Sequence, residues 1–364
     1  MQSARPINFS PGPAILPLSV LEEAARGLVA LEGLGLSILE ISHRSPTFEA
    51  ILAEARDGLR RLLDVPDSHE ILFLQGGARG QFAQIPLNFL IPGSRAAIVV
   101  TGVWGEGAFE EAQRLGDAFV LATGAESRYA VLPDLSEVSV PEGTAYVHTT
   151  SNNTVVGSQW HPMPDFGPVP HISDMSSDIL SRPIDVSRYA LIYAGAQKNM
   201  GPSGLTVVII DRRFMAAGRS DIPEIWQYRA QAAKDSMLNT PPTFAIYVLG
   251  LVTRWLEERG GVAAMAQENA AKAAAVYGAI EASGGFYRPA VTMPDHRSQM
   301  NVTFRIADEA LEKRFVAEAE AAGLVGLKGH RIVGGLRASL YNAMPLAGAQ
   351  RLAAFMDEFA RARG

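Results

Sequence analysis

The stretch "RYALIYAGAQKNMGPSGLTVVII", residues 188–210, sets two apolar, β-rich runs on either side of one lysine, Lys198, held among small residues. The runs predict two buried strands, because β-branched and aromatic residues without polar alternation suit a sheet covered on both faces. Lys198 is the first of only five lysines, the others being Lys234, Lys272, Lys313 and Lys328, in a chain with 32 basic residues. Arginine therefore carries almost all of the positive charge, and an isolated ammonium at a strand end needs a specific reason. Partly desolvated there, the amine has a lowered pKa and becomes a nucleophile toward carbonyls, so Schiff-base chemistry is its natural use.

Working outward, further β-rich runs occupy "HEILFL" (69–74), "RAAIVVT" (95–101), "DAFVLA" (117–122), "TAYVHTT" (144–150) and "PHISD" (170–174). Helical or loop segments separate them, and this alternation predicts an α/β fold with a mostly parallel central sheet. Helices are expected over 17–31 and 46–63, the second with Ser45 as N-cap and Pro46 in its first turn. After residue 243 the pattern changes to long Ala-rich helices at 243–258 and 261–282. "SQMNVTFRI", a helix near 308–322, "GLRASLYN" and a last helix from 345 follow, as in a smaller α+β domain. The expected division is a large domain at 16–256 and a small one at 257–364, with segment 1–15 packing near the latter. The 364 residues fit about two domains at roughly 150 residues each.

Composition narrows the chemistry. A formal charge of -6 gives no global attraction to nucleic acid or to an anionic membrane surface. The absence of cysteine excludes disulfides, thiolate nucleophiles and cysteine-ligated metal centres; no metal is expected. The N-terminal "MQSARPINFSPGPAILP" lacks a basic region followed by an apolar core, and no run is long enough to span a bilayer. A cytoplasmic location is expected.

In α/β sheets functional groups gather beyond the carboxyl ends of the strands. Asp174 closes "PHISD", and Gln197 and Lys198 follow "ALIYAG". "LQGGARGQFAQ", residues 74–84, reads as strand, glycine turn and helix, which aims backbone N–H groups and a helix N-terminus at a phosphate. It matches neither G-x-G-x-x-G nor the P-loop pattern, so a nucleotide is not indicated. Singly, Asp174 reads more readily as a turn residue and Lys198 as a surface lysine, while Trp104 reads equally as a core aromatic and the glycine pair as a plain turn. Jointly, an amine, a carboxylate, an aromatic and a phosphate cup are the parts that hold pyridoxal phosphate.

These residues stand in blocks that resemble the phosphoserine aminotransferase family, class V members of the fold-type I pyridoxal-phosphate enzymes. The blocks are "EISHRS" (40–45), "GGARGQF" (76–82), residues 173–210, "NTPPTFAIY" (239–247) and "GHRIVGGLRASLYNAMP" (329–345), and the likeness runs from "NFSPGPAILP" at residue 8 to the C-terminal helix. The resemblance implies that Lys198 carries the cofactor as a Schiff base and moves the substrate proton, and that Asp174 pairs with the pyridine nitrogen. It implies that Trp104 stacks on the ring, that Thr154 binds near its phenolic oxygen, and that Ala78, Arg79 and Gln197 bind its phosphate. Asn239 and Thr240 would reach the phosphate of a neighbouring subunit, so a homodimer with shared active sites is implied. Arg337 would hold the substrate α-carboxylate, and Arg44, His330 and Arg331 the distal phosphate or γ-carboxylate.

The implied reaction converts 3-phosphohydroxypyruvate and L-glutamate to O-phospho-L-serine and 2-oxoglutarate, with a phosphorylated hydroxythreonine as a possible second substrate. Two rivals remain: another class V enzyme such as a serine:glyoxylate aminotransferase, and a cofactor-free binding protein for phosphorylated metabolites. The sequence departs from the family's pattern at Asn153, where a glutamate is expected, and at Ser203, where an alanine is. Gln75 carries no assigned role.

Overall fold

The computed structural model describes residues 5–363. Its strands and helices follow the chain as β1 (Ile7–Asn8), α1 (Leu18–Val29), α2 (Pro46–Leu63), β2 (His69–Leu74), α3 (Gly77–Phe89), β3 (Arg95–Val100), α4 (Val103–Leu115), β4 (Asp117–Thr123) and β5 (Thr144–Thr150). Then come β6 (His171–Asp174), β7 (Leu191–Gly195), β8 (Thr206–Asp211), two short helices α5 (Arg212–Ala216) and α6 (Tyr228–Ala232), α7 (Thr243–Glu258) and α8 (Gly261–Ala282). The chain closes with β9 (Tyr287–Pro289), β10 (Asn301–Ile306), α9 (Glu309–Ala321), β11 (Leu324–Val325), β12 (Leu336–Ser339) and α10 (Leu346–Arg361).

Seven strands form the central sheet in the order β2-β8-β7-β6-β5-β3-β4. Only β8 runs against its neighbours; β7, β6, β5, β3 and β4 are parallel. The reason lies in the opening stretch, since residues 196–205 are too few for a crossover and fold back as a hairpin turn. That turn carries Lys198. Successive residues of the strands sort to opposite faces: Ile71, Phe73, Ile192, Ala194, Val207 and Ile209 pack in one apolar core with α2 and α7. Leu72, Leu74, Leu191, Tyr193, Val208 and Ile210 enter another with α3 and α4. Both faces are covered, which is why these strands are apolar throughout.

Helix α2 starts where its signals stand: the Ser45 hydroxyl accepts the Phe48 N–H at 3.2 Å, and Pro46 occupies the first turn. Its buried stripe, Phe48, Leu52, Ala55 and Leu59, faces the sheet. The C-terminal residues build a separate core around the antiparallel sheet β12-β10-β9. Segment β1 pairs in parallel with β11, Ile7 opposite Leu324, and Phe9 and Ile15 are buried in that same core. The N-terminal segment thereby bridges the two sheets, with Ala14 N–H donating to Gln197 O at 2.9 Å.

Candidate active site

The carboxyl ends of β2, β3, β5, β6 and β7 share one edge of the sheet, and the residues that follow them enclose a cavity of about 410 Å³. After β2, Gly76 and Gly77 take φ of 98° and 65°, a left-handed backbone that glycine adopts without Cβ strain. They turn the chain into α3, whose first residues, Ala78 and Arg79, line the cavity beside them. Exposed backbone N–H groups at a helix start make this an anion cup.

Asp174 ends β6, in register with Thr150 on β5 and Tyr193 on β7. It is 4% exposed and accepts the Ser176 N–H at 2.9 Å. Burial pushes its pKa up, while the Ser176 hydrogen bonds and the nearby Lys198 charge oppose that rise. Lys198, in the β7–β8 turn, places Nζ 2.5 Å from Thr154 Oγ1 and 5.8 Å from the centre of the Trp104 ring. Desolvation brings its pKa down to about 8; Arg337 acts in the same direction, and Asp174 against it. The amine thus loses its proton at a lower pH than an ordinary lysine, as nucleophilic chemistry near neutrality requires.

Arg337 projects from β12 and is 4% exposed, its Nη1 donating to Thr154 O at 3.1 Å. Among the described residues no carboxylate pairs with it. A buried guanidinium without a counter-ion suits an anionic ligand. Half-buried His330 lines the same cavity, its pKa lowered by burial and by the charges of Arg337 and Arg331. Trp104 Nε1, Arg337 Nε and Thr150 Oγ1 are buried without protein partners. The cavity therefore offers an amine, a carboxylate, an aromatic face, an anion cup and unused donors, and this set fits pyridoxal phosphate.

Of the residues expected from sequence, Lys198, Asp174, Thr154, Trp104, Gln197, Ala78, Arg79, His330 and Arg337 meet around the cavity. Four stand apart from it in the single subunit. Arg44 and Arg331 are exposed, and Asn239 and Thr240 lie on the far side of the glycine turn. There Asn239 Nδ2 donates to Gln75 Oε1 at 3.0 Å, and Gln75 Nε2 reaches Thr240 O at 3.4 Å, so Gln75 ties that loop to the turn. Sequence reasoning missed Pro11, Gly12, Asn152, Ser176 and Ser177 in the cavity wall. The serines follow Asp174 directly, and that adjacency was their available signal. Pro11 and Gly12 arrive through the long-range β1–β11 pairing, which no local pattern announces.

The family model for class-V aminotransferases matches residues 7–352. The chain belongs to the class-V aminotransferases. Within that class its place is among the phosphoserine aminotransferases: it is 52% identical to the one from Geobacillus kaustophilus over 98% of this chain and 99% of the relative. The solved phosphoserine aminotransferase from Bacillus circulans subsp. alkalophilus superposes with a TM-score of 0.97 at 49% identity, covering 99% of both chains. The pyridoxal-phosphate-bound phosphoserine aminotransferase from Trichomonas vaginalis superposes with a TM-score of 0.91 at 37% identity, over 97% of this chain and 99% of that one.

Proposed function

We propose that the protein is a pyridoxal-phosphate-dependent phosphoserine transaminase, exchanging an amino group between L-glutamate and 3-phosphohydroxypyruvate. The observation that carries this reading is a half-buried amine, Lys198, placed against Thr154 and under Trp104, in a cavity that also holds buried Asp174 and unpaired Arg337. When bound, pyridoxal phosphate supplies the carbonyl that takes the amino group and the ring that draws electrons from the substrate α-carbon.

The chain's residues do the rest. Lys198 anchors the cofactor and, once released, moves the proton at the substrate α-carbon. Asp174 keeps the proton on the pyridine nitrogen, because a buried carboxylate favours the cation beside it. Trp104 covers one ring face, and Ala78, Arg79 and Gln197 hold the phosphate at the helix N-terminus. Arg337 takes the α-carboxylate, and His330 the distal phosphate or γ-carboxylate, with Arg331 close enough to add its charge. A cofactor-free anion-binding protein would gain nothing from Asp174, whose charge repels an anion.

A homodimer with shared sites belongs to the same proposal. Arg44, Asn239 and Thr240 are exposed outside their own cavity, where a second copy would meet them. Leu34, Leu36 and Leu39 in the loop after α1, and Ile225 and Trp226 beside the Gln75 turn, are apolar and exposed, as surfaces covered by a second copy are. The division into a large domain at 16–256 and a small one at 257–364 is likewise proposed. Its support is the separate apolar core of the C-terminal residues, beyond the α7–α8 turn. No helix among the described residues is long and apolar enough to cross a membrane.

The test is a half-reaction screen on the purified protein, following loss of the enzyme-bound chromophore with phosphoserine, phosphohydroxythreonine, serine and alanine in turn. Phosphoserine is expected to act well ahead of serine and alanine. Equal response to the unphosphorylated amino acids would contradict the distal-anion assignment and favour another class V activity.

A further inference from the structure

The loop 152–157 stands between the two strand ends that carry Trp104 and Asp174, and its side chains are almost wholly buried. Near its start is Asn153, 1% exposed. Its carboxamide works in two directions. Nδ2 donates to Thr101 O at 2.5 Å, and Oδ1 accepts the N–H groups of Val155 and Val156 at 3.1 and 3.3 Å.

The first contact reaches the segment Thr101–Gly102–Val103 that leads into α4 and Trp104. The approach is close: a Cβ on Gly102 would lie 1.8 Å from Asn153 Nδ2, so a side chain there would push the carboxamide off Thr101 O. The second set of contacts closes the turn 153–157, which Gly157 N–H to Asn153 O at 2.8 Å and Asn153 N–H to Ser158 O at 2.7 Å complete. Thr154 sits on that turn, its hydroxyl oxygen accepting from Lys198 Nζ and its carbonyl from Arg337 Nη1.

We propose that Asn153 is a positioning residue that fixes Trp104 on one side of the cavity and the Thr154 contacts to Lys198 and Arg337 on the other, through one carboxamide. The inference rests on the reading that this cavity holds pyridoxal phosphate. Aspartate at 153 keeps the two accepted N–H bonds but cannot donate to Thr101 O, and it faces that carbonyl with a negative oxygen. Alanine at 102 breaks the same contact from the other side. Loosening the turn admits water around Lys198, which removes the desolvation that lowers its pKa.

The experiment prepares Asn153→Asp, Gly102→Ala and the double variant as full-length proteins, with Asn153→Ser as the milder replacement should Asn153→Asp not fold. Pyridoxal phosphate affinity of the apoproteins, the pH midpoint of cofactor uptake, and quenching of Trp104 emission on uptake, against a Trp104→Phe background, are measured. Each single variant is expected to bind cofactor about tenfold or more weakly, as for a buried hydrogen bond lost. The uptake midpoint should move upward from about 8, and the quenching should fall. The double variant should be no worse than the poorer single one, because both break one contact. Folded variants with wild-type affinity, midpoint and quenching, or fully additive losses in the double variant, would overturn the inference. A wild-type protein that takes up no pyridoxal phosphate would instead overturn the functional reading on which it rests.

Discussion

Lys198 Nζ and Thr154 Oγ1 lie 2.5 Å apart although their positions are 44 residues apart in the chain. The pair joins the β7–β8 turn to the loop after β5, and Arg337 reaches the same threonine through its carbonyl. Thr154→Val removes the hydroxyl and leaves the ammonium with one hydrogen-bond partner fewer in a desolvated place. Transamination should fall by about tenfold, from one charged hydrogen bond lost, and the absorbance of the bound cofactor should shift because Thr154 is proposed to neighbour its phenolic oxygen. Steady-state rates and a spectral pH titration check both.

Asp174→Asn keeps the shape of the side chain and removes the charge proposed to hold a proton on the pyridine nitrogen. The turnover of every amino-acid substrate should fall by on the order of a hundredfold to a thousandfold, the usual cost of deleting one preorganised electrostatic partner. Cofactor binding should survive, since the phosphate cup and Lys198 are untouched. Single-turnover rates beside a cofactor titration separate the two effects.

In the proposed function, Arg337 and the His330–Arg331 turn divide the anionic groups of the substrate between them. Arg337→Ala should weaken all amino-acid substrates by about a hundredfold, because a buried charge-assisted contact is lost. His330→Ala and Arg331→Ala should mainly raise KM for phosphoserine and glutamate and leave alanine little changed. Equal losses on monoanionic and dianionic substrates for all three variants would contradict this division.

The pH dependence of cofactor uptake follows from Lys198. Its pKa is lowered from the ordinary lysine value to about 8, so the free amine accumulates as pH rises through about 8. Stopped-flow recombination of the apoprotein with pyridoxal phosphate should accelerate between pH 7 and 9 and level off above about pH 9. A midpoint near that of an ordinary lysine would show that the amine is not desolvated.

Lys272 on α8 offers a second check on buried ammonium groups, away from the chemistry. It is fully buried, its Nζ donates to Tyr341 O at 2.9 Å, and burial lowers its pKa to about 7. Between pH 7 and about 10 the unfolded chain binds this proton more readily than the folded one, so the group contributes a stability that rises with pH, at up to about 1.4 kcal/mol per unit. Lys272→Met should therefore stabilise the protein more at pH 7 than at pH 10 in denaturant melts. A difference between mutant and wild type that does not change with pH would contradict it.

Much of this architecture was legible in the sequence, and the reasons are local. Helix α2 carries its own N-cap and first-turn proline, and the apolar runs of β2 and β5 to β8 end at polar or glycine residues, so periodicity and caps suffice. Asp174, Lys198 and the glycine turn were readable because each stands at or just after a strand end. The antiparallel setting of β8 was not foreseen, although the short connection across 196–205 implies it. Long-range contacts hid the rest: Pro11 and Gly12 reach the cavity through the β1–β11 pairing and the hydrogen bonds of Tyr341 to Pro11 O and Ala14 to Gln197 O. Arg44, Arg331, Asn239 and Thr240 could be suggested by family resemblance alone, because nothing in one subunit draws them to the cavity. Asn153 gives no local signal of its role, because its partner Thr101 lies 52 residues away and meets it only in the fold.

The central claim is that Lys198 carries pyridoxal phosphate. Borohydride reduction of the purified protein, followed by proteolysis and mass spectrometry, tests it most directly. The account predicts a yellow protein whose reduction fixes the cofactor mass on the peptide containing Lys198, and no such mass in Lys198→Ala. A colourless protein with no retained cofactor, or a cofactor fixed at another lysine, would contradict it.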